Sequence, residues 1–195
     1  MKKISKKLYL GLVGLPASGK TTTCDHLESI GFSRITLSSF IHKELEKQKK
    51  EASRRNLQDV GNHLRKKHGS GVLGKLAAQS IKKKTLDRAI IDGIRNLKEI
   101  EELKNRLTPF FVIGIKASSR NRFPRLKSNP KNKHIKTWQD FKFYEKRENK
   151  DFKGNYGLQV NACLKQSDYF IKNNQSLKSF YSKINQVIEK IKKDL

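Results

Sequence analysis

The sequence predicts an α/β fold with a five-stranded parallel sheet, and three observations support this fold class. Five short apolar runs are rich in Val, Ile, Leu and Phe, which is typical of strands covered by helices on both faces. Polar segments with helical spacing separate these runs, as in right-handed βαβ units. The length of 195 residues suits one buried core. The runs are Leu8 to Val13, Arg34 to Leu37, Ala89 to Ile91, Phe110 to Ile115 and Tyr169 to Ile171.

Helices are predicted from apolar periodicity and from polar residues that cap helix starts. In the segment Asn96 to Leu107, leucine and isoleucine recur every three or four residues. Ser38 or Ser39 is expected to cap a helix after the second strand, and Ser176 a last helix that reaches about Lys192. These signals complete the alternation of strands and helices.

The connections are longer than simple crossovers need. About fifty mostly helical residues separate the second and third strands, and a further insertion runs from Ser118 to about Gly154. Because 195 residues are few for two full domains, we expect a single domain, residues 1–195, that carries both insertions.

The net charge of +26 arises from 33 Lys and 11 Arg against 18 acidic residues. Such a field attracts polyanions, including nucleic acid. The lysines are spread along the whole chain, however, and aromatic residues make up only 8% of it, so a stacking platform for bases is not indicated. A lysine-rich surface is therefore favoured over a dedicated nucleic-acid interface.

Several other classes of protein are disfavoured by the composition. Cys24 and Cys163 lie far apart and form no zinc or disulfide pattern, and the histidines at 26, 42, 63, 68 and 134 form no ligand set. No apolar run reaches the ~18 residues of a membrane span. The basic start is expected to lead into the first strand and not to be a signal peptide. A cytoplasmic location without a membrane partner is the expectation.

The strongest motif is GLPASGKTT, which directly follows the first predicted strand. It matches G-x-x-x-x-G-K-[ST], in which the backbone wraps a phosphate and the next helix presents its N-terminus to the anion. Lys20 would reach the β- and γ-phosphates of ATP, and the Thr21 hydroxyl would bind Mg²⁺. A helix predicted over Thr22 to Ile30 completes the context. The predicted nucleotide-binding residues are Gly14, Leu15, Pro16, Ala17, Ser18, Gly19, Lys20, Thr21 and Thr22.

Charged residues follow the third and fourth strands, whose carboxyl ends share one edge of a parallel sheet. Asp92 closes the third strand in RAIIDGIR, where a carboxylate can hold Mg²⁺ or its water shell, and Arg95 lies at the same rim. Arg120, Arg122 and Arg125 follow the fourth strand in a chain that otherwise prefers Lys. This choice indicates that planar guanidinium groups are needed, as for a transferring phosphoryl group.

The phosphate loop, the DGIR segment at Asp92 to Arg95 and the arginine-rich segment together resemble the nucleoside monophosphate kinase superfamily. The similarity is greatest to an adenylate-kinase-like branch related to dephospho-CoA kinases and deoxynucleotide kinases. It extends over nearly the whole chain, including RRNLQDVGNHLRKKHG from Arg54 to Gly69 and QVNACLKQSDYFIKNN from Gln159 to Asn174.

The resemblance implies a three-layer P-loop NTPase fold with a helical substrate-binding insert at 38–85 and a lid at 127–150 that closes over ATP. It implies Lys20, Asp92, Arg120 and Arg125 as catalytic residues, with Thr21 and Asp92 on the metal. Acceptor contacts would come from Ser38, Arg65, Arg95 and Arg122.

The predicted function is transfer of the γ-phosphoryl group of ATP, with Mg²⁺, to a nucleotide-like acceptor such as a nucleoside or deoxynucleoside monophosphate. Dephospho-CoA is an alternative acceptor that the residues leave open. An alternative from another class, suggested by the charge of +26, is a nucleotide-binding switch or a nucleic-acid-associated ATPase.

Overall fold

One five-stranded sheet forms the centre of the computed structural model, which describes residues 7–132, 135–148 and 156–195. The strands pair in parallel, as the apolar runs predict, so the predicted sheet is confirmed. They are β1 (Leu8–Val13), β2 (Ser33–Thr36), β3 (Arg88–Asp92), β4 (Phe110–Lys116) and β5 (Tyr169–Lys172), and their spatial order is β2-β3-β1-β4-β5.

Helices connect successive strands and cover both faces of the sheet. They are α1 (Lys20–Ser29), α2 (Leu37–Lys47), α3 (Arg54–His68), α4 (Val72–Lys83), α5 (Leu97–Arg106), α6 (Ser119–Lys127), α7 (Trp138–Arg147), α8 (Val160–Lys165) and α9 (Leu177–Lys193), with a 3₁₀ turn at Pro130–Asn132.

The alternation of side chains along β1 builds two hydrophobic cores. Leu10 and Leu12 face a cluster formed with α1 and α9, whereas Tyr9 and Val13 face a cluster formed with α2, α4, α5 and α8. Side chains of a strand point to opposite faces in turn, and β1 lies between β3 and β4, so it is buried on both sides. The predicted three-layer arrangement is therefore confirmed.

The strand order places β1, and with it the carboxyl end of β1, at the middle of the sheet. The chain leaves β1 toward β2 and β3 on one side and continues to β4 and β5 on the other. Ligands of open α/β sheets bind beyond the carboxyl ends of strands at such a switch point. The segments that follow Val13, Asp92 and Lys116 meet at this edge.

One predicted helix start is wrong by one or two residues. α2 begins at Leu37, after the extended residue Thr36, and not at Ser38 or Ser39. Leu37 is 1% exposed and belongs to the core as the first residue of the helix, so β2 ends before it. The hydroxyl of Ser39 instead donates to the Thr36 carbonyl at 2.7 Å.

The two predicted insertions differ in how they pack. Residues 38–85 contain most of α2, all of α3 and α4, and these helices contribute to the main core. The predicted lid, 127–150, contains the 3₁₀ turn and α7. Ile135, Phe141 and Tyr144 of this segment pack with Leu126 of α6 in a separate small cluster. Residues 133–134 and 149–150 of that lid lie outside the described residues. This cluster contains no residue of the described strands, so α7 is not part of the two cores that cover the sheet.

Among the helices of the described residues, none has both the length and the hydrophobicity required to cross a bilayer.

Candidate active site

The phosphate loop is shaped by two residues with positive φ. Ala17 has φ +59° and Gly19 has φ +114°, just before α1 begins at Lys20. Alternating backbone conformations of this kind direct successive N–H groups into one concavity that suits an anion. The N-terminus of α1 adds its positive dipole end to the same place.

Close packing requires glycine at both ends of the loop. A Cβ at Gly14 would lie 2.6 Å from the Ile115 carbonyl oxygen, and a Cβ at Gly19 would lie 2.9 Å from Cζ of Phe180. Real Cβ contacts are not that short. The loop is thus held against β4 on one side and α9 on the other.

Lys20 folds back over the loop. Its Nζ donates to the Gly14 carbonyl at 2.6 Å and to the Leu15 carbonyl at 3.2 Å. Desolvation lowers the pKa of Lys20, and Arg95 lowers it further, while Asp92 and Glu148 act in the opposite direction. Lys20, Asp92, Arg95 and Glu148 therefore lie close enough to influence one another beyond the sheet edge.

Asp92 provides the test of whether this edge fits Mg²⁺. Its Oδ1 is buried and has no hydrogen-bond partner among the described residues. Asp92 ends β3, which pairs directly with β1, the strand that leads into the phosphate loop. Thr21 is exposed on the first turn of α1, and the Ser18 hydroxyl is buried without a partner in the same part of the chain. Mg²⁺ prefers oxygen ligands and needs only one or two from protein when phosphates and waters supply the rest. The donor set fits Mg²⁺.

A cavity of about 430 Å³ opens beside the phosphate loop. Its walls come from the loop, from the first turn of α1, from Arg125 and Asn129, and from the segment between β5 and α9. The volume is in the range of small-molecule sites. The cavity therefore extends the phosphate site toward α6 and α9.

Asn173 connects the parts of this cavity and was missed by sequence reasoning. Its Nδ2 donates to the Ser18 carbonyl at 2.9 Å, and its own carbonyl accepts from Arg125 at 3.3 Å. Its backbone N–H donates to Lys116 at 2.7 Å. The signal in the sequence is its place just after β5, at the same sheet edge as Asp92.

The three arginines after β4 have different surroundings. Arg125 lines the cavity, and Arg120 is exposed with no hydrogen bond or ion pair to a described residue. Arg122 is 2% exposed, donates to the carbonyls of Ala117 (3.0 Å) and Pro16 (3.4 Å), and forms an ion pair with Glu145. The guanidinium of Arg122 thus joins α6, α7 and the phosphate loop, and this placement does not support the predicted substrate contact.

Arg65 is also occupied by an internal partner. Its Nε and NH2 donate to Oε1 of Glu99 at 2.9 and 2.8 Å, and both side chains are nearly inaccessible to solvent. The other carboxylate oxygen, Oε2, accepts from the backbone N–H groups of Arg95 (2.8 Å) and Asn96 (3.1 Å). Arg65 therefore positions the Arg95 loop through Glu99, and the predicted direct acceptor contact is not supported.

Glu99 was also absent from the sequence predictions. Its signal was the pattern Asn96-x-x-Glu99, a capping box at the start of α5. A capping acid is ordinarily at the surface, whereas this one is fully buried because α3 brings Arg65 over it.

Arg95 and Ser38 lie at the rim of the central edge. The side chain of Arg95 is 37% exposed, and its NH1 lies 3.4 Å from Oε2 of Glu148. Ser38 is half-buried in the first turn of α2, and a Cβ at Gly93 would be 4.0 Å from its backbone nitrogen. Both therefore border the turn that follows Asp92, and neither lines the cavity beside the phosphate loop.

The family model for an AAA domain matches residues 13–142, two thirds of the chain, starting at the end of β1 and reaching α7. The chain belongs to this family. A UPF0200 protein of Thermococcus kodakarensis is 26% identical over 184 residues, which cover 92% of this chain and 96% of that protein.

Solved structures with a similar fold include kinases. Shikimate kinase from Acinetobacter baumannii, in complex with shikimate, has a TM-score of 0.57 at 16% identity and covers 97% of each chain. Dephospho-CoA kinase from Campylobacter jejuni has a TM-score of 0.52 at 17% identity, covering 95% of this chain and 98% of that one. The predicted P-loop kinase fold is confirmed for this AAA domain.

Replacement of Gly19 by Ala is expected to abolish nucleotide binding and to destabilise the protein. The left-handed backbone costs about 1–2 kcal/mol for a residue with a Cβ, and the overlap with Asn173 and Phe180 adds about 1–3 kcal/mol. Urea unfolding and ATP calorimetry measure the two effects. Gly31→Ala is the control, because Gly31 also has positive φ (+91°) but its nearest neighbour would be a flexible Arg88 end at 3.6 Å. Equal losses in both variants would contradict the packing role.

Replacement of Glu99 by Gln is expected to lower the free energy of unfolding by about 3–5 kcal/mol, because Arg65 keeps a buried charge without a partner. Glu102→Gln on the same helix is the control, since it breaks only the exposed pair with Arg106 and should cost about 0.5 kcal/mol or less. Urea unfolding at neutral pH distinguishes the two. Similar costs for both variants would contradict the buried role of Glu99.

Proposed function

We propose that the protein is an ATP- and Mg²⁺-dependent phosphotransferase whose acceptor is nucleotide-like, with a nucleoside or deoxynucleoside monophosphate as the first choice. The observation that carries the proposal is the convergence of Lys20, Asp92 and Arg95 beside a preformed phosphate loop, next to a cavity bordered by Arg125. Phosphoryl transfer depends on positioning and charge neutralisation, which is what such a set of groups provides.

The loop Gly14 to Thr22 would hold the phosphates of ATP with its backbone N–H groups. The ammonium group of Lys20 now donates to the carbonyls of Gly14 and Leu15. When ATP binds, it would donate to the β- and γ-phosphates instead, which requires only a short movement. Arg125 and Asn173 would border the remainder of the nucleotide, because both line the adjoining cavity.

Thr21 and Asp92 would hold Mg²⁺, directly or through its waters. When bound, the ion neutralises charge on the phosphates and fixes their orientation. The buried Oδ1 of Asp92, which has no partner among the described residues, supports this role, because a buried carboxylate oxygen without a partner costs free energy.

On the other side of the transferred group, Arg95 would hold the phosphate of the acceptor. It now pairs with Glu148, and an anionic acceptor would replace that carboxylate. Ser38 would supply a hydroxyl at the same rim, and Arg120, exposed on α6, would approach the transferring phosphoryl when the lid closes and excludes water. Arg65 and Arg122 act as positioning residues.

Dephospho-CoA is the second candidate acceptor. The fold similarity to a dephospho-CoA kinase supports it, and a hydroxyl acceptor would use a carboxylate near the loop as a proton acceptor, a part that Asp92 could supply. The phosphate acceptor is preferred because Arg95 at the rim and the exposed Arg120 on α6 would supply positive charge to an anion.

A panel of acceptors with γ-³²P-labelled ATP tests the proposal. Label is expected to move to at least one nucleoside or deoxynucleoside monophosphate, and transfer only to dephospho-CoA would select the alternative acceptor. If folded, ATP-binding protein transfers label to none of them, the proposal is wrong. ATP hydrolysis that is stimulated by RNA or DNA and weakens steeply with salt would then identify the nucleic-acid-associated ATPase.

Lys20→Ala and Asp92→Asn are expected to lower the transfer rate by about 10²-fold or more, because each removes a charge that stabilises the transition state. Asp92→Asn should also raise the Mg²⁺ concentration at half-maximal rate, which a Mg²⁺ titration at fixed ATP measures. Lys43→Ala, an exposed position on α2, is the control for loss of positive charge and should leave both quantities unchanged. An unchanged Mg²⁺ dependence in Asp92→Asn would contradict the metal role.

A further inference from the structure

One face of the sheet is exposed to solvent where β4 and β5 end. Ile171 of β5 packs in the cluster with α1 and α9, so its neighbours Phe170 and Lys172 point to the opposite face. The parallel register places Gly114 beside Phe170 and Lys116 beside Lys172 on that same face. Both lysines are exposed. We call these four positions the open β4–β5 face.

The aromatic ring of this face is fixed in position. Phe170 is 44% exposed, and a Cβ at Gly114 would lie 2.9 Å from its Cδ1 and Cε1 atoms. The Nζ of Lys116 lies over the ring, 4.0 Å from its centre. The ring therefore packs directly on the backbone of β4 and attracts a cation to its face.

The two lysines of this face have no acidic partner. Lys116 and Lys172 lie directly opposite each other in the register, and neither forms an ion pair with a described residue. Like charges in this arrangement are destabilising. Asp168, which precedes β5, instead binds Lys104 at 3.1 Å and the backbone N–H of Val112 at 2.7 Å. A bound anion would remove the repulsion between the two lysines.

A third ammonium group lies at the outer edge of β5. Lys183 of α9 donates to the Lys172 carbonyl at 3.4 Å and to Oε1 of Gln175 at 2.6 Å. β5 is the outermost strand on its side of the sheet. The positive charges thus continue from the face of the sheet around its edge, which suits a chain of phosphates better than one small anion. The net charge of +26 adds long-range attraction for such a chain.

The open β4–β5 face is separate from the cavity beside the phosphate loop, because none of its four residues lines that cavity. The low aromatic content disfavours a stacking platform when the residues are considered along the chain. The sheet, however, brings Phe170 between lysines of two strands that are distant in sequence. An aromatic ring with neighbouring cations is the arrangement that single-stranded nucleic acid requires.

We propose that the open β4–β5 face binds single-stranded nucleic acid, with a base stacked on Phe170 and phosphates on Lys116 and Lys172. When the strand binds, the ammonium group of Lys116 moves from the ring to a phosphate, and the base takes its place. One flexible polymer thereby satisfies both the ring and the lysines. Inorganic polyphosphate or an acidic peptide would neutralise the lysines alone. The inference is independent of the proposed phosphotransferase function.

Fluorescence anisotropy of labelled oligouridine and oligothymidine, titrated with the full chain, tests the lysines. Binding is expected to weaken steeply as the salt concentration rises from about 50 to 200 mM. The double variant Lys116→Gln, Lys172→Gln is expected to reduce the slope of log Kd against log salt by about 1.4, because two phosphates of a single strand lose their counter-charges. The matched control is Lys43→Gln with Lys75→Gln, two exposed positions on α2 and α4, and it should keep the slope.

The same titration tests the ring. Phe170→Leu is expected to weaken binding about fivefold or more with an unchanged salt slope, because it removes the stacking surface and no charge. Phe143→Leu is the matched control, since this ring is 65% exposed on α7, and it should keep the affinity. Melting temperatures of the variants establish that each one is folded.

Four results would overturn the inference. They are absence of oligonucleotide binding at about 50 mM salt, equal losses in the two double lysine variants, equal losses in the two phenylalanine variants, and equal competition by inorganic polyphosphate of the same charge. Binding of only one of the two polymers would support the inference and identify the sugar that the face accepts.

Discussion

The buried carboxylate of Glu99 is the contact on which the acceptor side of the molecule depends. One of its oxygens accepts from Arg65 on α3, and the other accepts from the backbone of Arg95 and Asn96. A single charged group therefore fixes the insert helix, the start of α5 and the turn after Asp92 relative to one another. A buried ion pair of this type contributes little net stability compared with an apolar pair, although the loss of one partner is costly. The main effect of the pair between Arg65 and Glu99 is therefore to fix the position of Arg95.

The nucleotide side is organised by backbone packing instead of charge. Gly14 and Gly19 bring the loop so close to β4 and α9 that side chains would not fit, and Asn173 bonds the loop from β5. The two halves of the site thus rest on different physical interactions, and both end at the carboxyl edge of the central strands. Lys20 lies where they meet, which explains why Asp92, Arg95 and Glu148 all influence its pKa.

The elements of the fold were predictable because their signals are local. Each strand was found within one or two residues from its apolar run, and the phosphate loop from its glycines and Lys20. The roles of the arginines were harder to predict, because an arginine indicates that an anion is bound but not which anion it is. Arg65 and Arg122 bind Glu99 and Glu145, partners 34 and 23 residues away, and such pairing follows only from tertiary packing. Asn173 escaped prediction for the same reason.

The contacts of α7 join the phosphate loop to the helical insert. Within three residues this helix carries Glu145, which binds Arg122 and through it the Pro16 carbonyl of the phosphate loop, and Arg147, which binds Gln58 on α3. A nucleotide that stiffens the loop would thus also restrict α7. Because one helix contacts both the phosphate loop and α3, a shift of the loop would reach the acceptor side of the molecule through α7.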